Sequence, residues 1–234
     1  MKVKLVAHTP DPDLKAAAAA MTSTSARTTL EILEDMNDPE KQKKALFILK
    51  KVMESGHTSV LEHSSFTFSI SEVSRALTHE LVRHRIASYT QQSQRYVKFD
   101  KEKNFVFPPT ITKNEKTKKI YEKLLAESVK TYNKLIENGI PCEDARYVLP
   151  NASPTNIILT MNGRELLHFF ALRCCERAQW EIRELATEMC RQAKEVAPVM
   201  FEKAGPSCSQ KGLCPEGKLT CGRMKEIVEK FRKL

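Results

Sequence analysis

The sequence predicts an α+β fold, a mixed sheet with flanking helices. Three observations predict it. Phe66, Phe68 and Ile70 alternate with Thr67 and Ser69, the two-residue period of a half-buried strand. Ala45, Leu49, Val52 and Met53 recur at helical spacing instead. Segments of the two kinds follow one another without the regular strand–helix alternation that builds a parallel α/β sheet.

Taken in order, Val3 to Val6 reads as a first strand, and the Ala-rich Leu14–Met21 and Thr28–Leu33 as helices separated by the polar Thr22–Ser25. Asp38-Pro39 starts the next helix, because Asp caps and Pro fits the first helical position; Gly56 ends it. His57–His63 reads as a polar loop before the strand at Phe66. Val73, Leu77 and Leu81 phase a helix with Ser71 as N-cap, followed by a hydroxyl-rich loop, Ser88–Ser93. Phe105-Val106-Phe107 is an extended segment stopped by Pro108-Pro109. Ile120–Ile136 is a long amphipathic helix with Ile120, Leu124, Tyr132 and Ile136 as its stripe, stopped at Gly139-Ile140-Pro141. Glu143–Leu149 is a short helix carrying Arg146, and Thr155–Met161 reads as a buried strand. Asn162 and Glu165 have the capping-box spacing for a helix that carries His168, Leu172 and Arg173. Ala178, Ile182, Leu185 and Met189 phase another helix, ended by Pro198. Met224, Ile227, Val228 and Phe231 form a last short helix after a tail rich in Gly, Pro and Cys, and no interdomain linker stands out: residues 1–234 read as one domain, with 205–234 as a Cys-bearing tail.

Composition narrows the function. With 234 residues, 41% hydrophobic and 29% charged, the chain suits a soluble globular protein with a sizeable core. A net charge of +9 implies an anionic partner, and its dispersal favours small ligands over nucleic acid. No apolar run reaches membrane-spanning length, and seven cysteines without a secretion signal point to a reducing cytoplasm. There is no Gly-x-Gly, so dinucleotide phosphates would have to be held by side chains.

The densest chemistry lies in Ser74–Tyr96, where Arg83-His84-Arg85 is followed by seven residues, then Ser93 and Arg95. Two guanidiniums cannot both face a core; around a histidine they suit multidentate binding of phosphate or carboxylate. This pattern resembles the signature of the flavin-dependent thymidylate synthases. Three further stretches are similar to that family and stand in its order: Gly56–Phe68 (GHTSVLEHSSFTF), Gly139–Pro150 (GIPCEDARYVLP) and Asn162–Arg183 (NGRELLHFFALRCCERAQWEIR).

The resemblance implies an enzyme making dTMP from dUMP, with methylenetetrahydrofolate as carbon donor and NADPH as reductant through bound FAD. It also implies a homotetramer with active sites built from several subunits. FAD would be held by Ser59, Arg83, His84, Arg85, Gln91, Asn162, Arg164 and His168. The nucleotide would be held by Glu80, Leu81, Val82, Arg83, Gln91, Gln92, Ser93, Gln94, Arg95, Arg146 and Arg173. Arg173 is the expected catalytic residue: a guanidinium beside uracil stabilises negative charge on the ring and makes C5 more nucleophilic. Glu80 departs from the glutamine common in the family, and a carboxylate repels a phosphate unless it pairs with an arginine or turns away.

No metal is expected. Cys208, Cys214 and Cys221 are spaced more widely than the usual zinc pairs, with Cys190 or Cys174-Cys175 upstream as a further thiol; they read as unpaired thiols in a mobile tail. The alternative reading is a basic nucleic-acid-binding protein without catalysis, using Arg83, Arg85, Arg95 and the lysines of 116–123 on phosphates.

Overall fold

A computed structural model describes residues 1–99 and 105–234. Along the chain run β1 (Lys2–His8), α1 (Pro12–Thr22), α2 (Thr29–Asp35), α3 (Pro39–Glu54), β2 (Ser65–Ser74), α4 (Arg75–Leu81) and β3 (Ala87–Gln91). Then come α5 (Pro109–Thr112), α6 (Glu115–Glu137), α7 (Cys142–Ala145), β4 (Pro154–Asn162), α8 (Gly163–Arg173), α9 (Trp180–Val196), α10 (Ser207–Lys211) and α11 (Met224–Lys233). The strands form one sheet in the order β1-β2-β4-β3. It is an antiparallel sheet, not the mixed one expected, with helices making up most of the rest.

The chain divides into two compact units. The first comprises Met1–Lys2, Ile70–Arg83 and Tyr89–Ile158; the second comprises Val3–Ser69, His84–Ser88 and Leu159–Leu234.

In the second unit, α3 begins as the sequence requires: Asp38 Oδ1 accepts from Glu40 N at 2.8 Å, and Pro39 lacks the N–H that this position leaves unbonded. Ala45 and Leu49 are fully buried, whereas Val52 and Met53 are only half-buried, so its stripe is narrower than expected. α3 packs on α1, whose small alanines allow close approach. The expected loop after Gly56 is a 3-10 helix, Thr58–His63, packed on α1 and α8. Phe66 and Phe68 of β2 are fully buried, and Phe66 joins an aromatic cluster with Phe169, Phe170 and Phe201; the Phe66 and Phe201 rings meet edge-on at 5.3 Å. Asp13 fixes the segment after α9 by accepting from Val199 N at 2.8 Å and Met200 N at 2.9 Å. The tail is docked. Phe231 of α11 is 2% exposed and rides directly over Gly205, whose φ of 147° and lack of a side chain make room for the ring.

In the first unit, β2 runs on to Ser74 through Glu72, whose backbone is left-handed at φ 61°. α4 therefore starts three residues later than expected. Ser74, not Ser71, caps it, accepting from Leu77 N at 3.0 Å, and Val73 is the buried end of a strand. The polar run expected as a loop contains an edge strand, β3; Gln92 N just beyond it donates to Asn156 O at 2.9 Å. Phe105–Phe107 is extended without joining the sheet, and Val106 N donates to Ala152 O at 3.0 Å. α6 buries Leu125 and Tyr132, not Leu124: Ile120 is 70% and Leu124 58% exposed. β4 alternates instead of being buried on both faces, with Ile157 inside and Ile158 44% exposed.

Candidate functional site

The second unit contains a polar cluster built on α8. Asn162 caps this helix, its side chain accepting from Glu165 N at 2.9 Å. The helix start lies tight against its surroundings: a Cβ on Gly163 would meet the Met200 side chain and come within 3.0 Å of Leu61 O. The reciprocal half of the expected capping box is absent, because the Glu165 carboxylate turns inward to His84, with Oε1 3.3 Å from Nδ1. On the other side of the ring, Arg173 Nε donates to His84 Nε2 at 3.1 Å. His84 itself stands edge-on to Phe169 at 4.9 Å and to His168 at 5.6 Å.

The protonation state follows from these contacts. A guanidinium only donates, so His84 Nε2 must accept, and the neutral ring carries its proton on Nδ1, facing Glu165. Burial, then the positive charges of Arg173 and His168, push the His84 pKa down to about 4. Burial raises the Glu165 pKa, partly offset by His168. A facing carboxylate would ordinarily raise a histidine pKa; here desolvation and the two basic neighbours win. Thus Arg173, His84 and Glu165 form one row, with a hydrogen bond from Arg173 on one side of the ring and the Glu165 carboxylate 3.3 Å away on the other. His84, Glu165 and His168 also bring three potential ligand atoms within 4.8 Å of one another. Of the other residues of this unit expected to hold the cofactor, Ser59, Arg85, Arg164 and His168 are exposed, and Arg164 pairs with Glu62 at 2.5 Å.

A cavity of about 410 Å³ also opens in this unit, lined by Met53, Thr58, Leu167, Met200 and Gln210 among others. It contains none of the expected site residues, although Thr58 adjoins Ser59 and Leu167 adjoins His168.

The first unit holds the residues expected to meet the nucleotide, Arg173 excepted. Arg95 Nε donates to Glu143 Oε2 at 2.6 Å, and Arg146 Nε donates to the backbone oxygen of the same residue at 3.0 Å. The backbone N–H of Arg95 donates to Ser93 Oγ at 3.1 Å, which tightens the turn. Val82 and Arg83 are exposed, while Glu80, Gln92, Ser93, Gln94 and Arg146 are half-buried. Two expected contacts face inward. The Leu81 side chain is fully buried, and its carbonyl accepts from Tyr89 Oη at 2.9 Å. Gln91 Nε2 donates to Thr78 Oγ1 at 3.1 Å and Thr155 Oγ1 at 3.3 Å.

A family model described as thymidylate synthase complementing protein matches residues 4–199. The chain is 50% identical to the flavin-dependent thymidylate synthase of Geobacter sulfurreducens, over 100% of this chain and 99% of that one. It is 46% identical to the enzyme of that name from Clostridium tetani, over 97% and 95%, and 44% identical to that from Pyrococcus furiosus, over 100% and 98%. The chain belongs to the flavin-dependent thymidylate synthase family. The nucleic-acid-binding alternative has no support among these relatives.

For a flavin-dependent thymidylate synthase chain, two residues of the first unit were missed by sequence reasoning. Arg75 Nη2 donates to Gln92 O at 2.8 Å, anchoring the base of the Gln92–Arg95 turn; burial, then the charge of Arg146, lower its pKa. Glu143 ties Arg95 to Arg146. Arg75 lies inside the motif stretch, so its type was visible, but only the fold brings it to the turn. In the second unit Glu165 was read as a cap alone, and its link to His84 spans 81 positions.

Proposed function

We propose that the chain catalyses the reductive methylation of dUMP to dTMP, with methylenetetrahydrofolate as carbon donor and NADPH as reductant. Membership of the family supports this reading, and the observation that carries it is the Arg173–His84–Glu165 row. Arg173 is the proposed catalytic residue. Its Nε–H is engaged by His84, which orients the guanidinium so that its terminal N–H groups can meet a developing negative charge on the uracil ring.

FAD is the proposed cofactor. Its pyrophosphate needs several cationic or N–H donors where no glycine-rich loop exists, and the exposed Arg85, Arg164, His168 and Ser59 fit that need, with Asn162, Arg83, His84 and Gln91 completing the proposed set. Bound FAD would relay reducing equivalents from NADPH. The nucleotide is assigned to Glu80, Leu81, Val82, Arg83, Gln91, Gln92, Ser93, Gln94, Arg95, Arg146 and Arg173. Within this set Leu81 contributes through its backbone, and Arg95 and Arg146 supply charge for the phosphate.

The proposed assembly is a homotetramer with shared active sites in the cytoplasm. Ile120 at 70%, Leu124 at 58% and Tyr147 at 84% exposure support it, since large apolar side chains favour burial between copies. Among the described residues no helix is long and apolar enough to cross a membrane.

The test is a visible spectrum of the purified protein with FAD supplied, followed by anaerobic NADPH with and without dUMP, and then the methylenetetrahydrofolate assay for dTMP. A protein-bound flavin that bleaches, and dTMP formation that requires the folate, are expected. A protein that binds no flavin under any of these conditions refutes the proposal.

A further inference from the structure

Sequence spacing left the tail cysteines as loose thiols, yet the fold draws four of them to one place. Cys175, two residues beyond α8, lines a cavity of about 20 Å³ together with Cys208 of α10, Cys214, Cys221 and the apolar Met224 and Ile227 of α11. All four thiols are unpaired. The upstream choice is thereby settled. Cys174 and Cys190 are buried, at 1% and 0% exposure, and are not among the cavity's lining residues, whereas Cys175 is.

The segments bearing these thiols are tied down from several sides. Arg177 Nη1 donates to Leu219 O at 3.0 Å and its Nε lies 3.1 Å from Glu216 Oε2; Arg223 pairs with Glu176 at 2.5 Å. Ser207 Oγ donates to Ala171 O at 3.2 Å, and Gln210 Nε2 donates to Leu167 O at 2.8 Å, so α10 is held against α8. Lys194 Nζ donates to Phe231 O, which fixes the end of α11. Four soft sulfur donors lining one small cavity, on segments held by several polar contacts, offer the ligand set of a structural metal site.

We propose that Cys175, Cys208, Cys214 and Cys221 bind a single zinc ion as a closed tetrathiolate site. Donor number selects a structural role, because four protein ligands leave zinc no open position for water or substrate. Binding releases four thiol protons to solvent and leaves a site of net charge −2. The surrounding segment offsets it, since residues 205–225 contain Lys211, Lys218, Arg223 and Lys225 against Glu216 alone.

The sulfurs stand further apart than direct coordination to one ion requires. No three of them lie within 4.8 Å of one another, whereas Zn–S bonds of about 2.3 Å place tetrahedral sulfurs about 3.8 Å apart.

The test uses the full-length protein, purified anaerobically under reducing conditions from zinc-supplemented cells. Elemental analysis should give about one zinc per chain, falling at least roughly tenfold in Cys214→Ser and Cys221→Ser while flavin content is retained. Cobalt(II) added to demetallated wild-type protein provides a readout independent of how the variants fold. The expected signal is a thiolate-to-cobalt charge-transfer band with the visible bands of tetrahedral coordination, abolished by one equivalent of zinc. Less than about a tenth of an equivalent of zinc after reconstitution overturns the proposal. So do zinc retained by both serine variants, a cobalt spectrum without thiolate character, or iron with inorganic sulfide in place of zinc.

Discussion

Burial of a neutral His84 makes stability depend on pH in a calculable way. The folded-state pKa is about 4, against an ordinary value of 6.5. As pH falls through this window the unfolded chain takes up the proton first, so the folded state loses ground; stability is fully present above about 6.5 and is lost as pH drops towards 4. The side chain is 3% exposed, so no discount for solvent screening applies. Linkage gives a loss of about 2 kcal/mol between pH 7 and 5, rising to about 3 kcal/mol at pH 4. His84→Gln is the informative change, because its amide oxygen can still accept from Arg173 while nothing at the position titrates. The assay is urea unfolding of the flavin-free protein at fixed protomer concentration across pH 7 to 5, wild type beside variant. Asp13, whose pKa burial raises, is common to both proteins and cancels in the difference. Wild type should lose about 2 kcal/mol more than His84→Gln over that range. Parallel curves would refute the neutral, buried assignment and, with it, Nε2 as the acceptor for Arg173.

Arg173→Ala should lower dTMP formation by a factor on the order of 10² to 10³ while leaving flavin content intact; near-wild-type turnover would remove it from the catalytic role. Arg85→Ala should raise the FAD dissociation constant roughly tenfold or more, read by equilibrium dialysis, since it deletes a charge-assisted donor from an exposed position. Gly163→Ala should destabilise the protein by about 1–3 kcal/mol in urea unfolding, because the added methyl meets the Met200 side chain and the Leu61 carbonyl.

What could be read from the sequence was what is decided locally. Asp38-Pro39 starts α3 and Asn162 caps α8 because a cap needs only residues two or three positions away. The Phe66–Ile70 alternation is likewise its own signature. Failures occurred where a distant partner decides. Ser88–Ser93 has no apolar alternation, and its β3 portion is a strand because β4 lies beside it. Ser71 looked like a cap until β2 proved to continue past it to Ser74. On α6 a long polar helix offered two apolar phases one residue apart, and packing chose Leu125 over Leu124. The site divides in the same way. The residue types of Arg83-His84-Arg85 and Arg173 were visible, whereas the His84 link between Arg173 and Glu165 was not, because positions 84, 165 and 173 meet only in the fold. Cys175 joining the tail cysteines is the same kind of event, across more than thirty positions.

The choice of an imidazole as the acceptor for Arg173 Nε has a consequence of its own. A carboxylate there, like the one that meets Arg95 or Arg164, would steer the guanidinium equally well but would cancel most of its field. An uncharged ring fixes direction and contributes no countercharge, and the carboxyl behind it is one ring's width further away. At that nitrogen, steering and neutralisation, which usually arrive together in an ion pair, are separated.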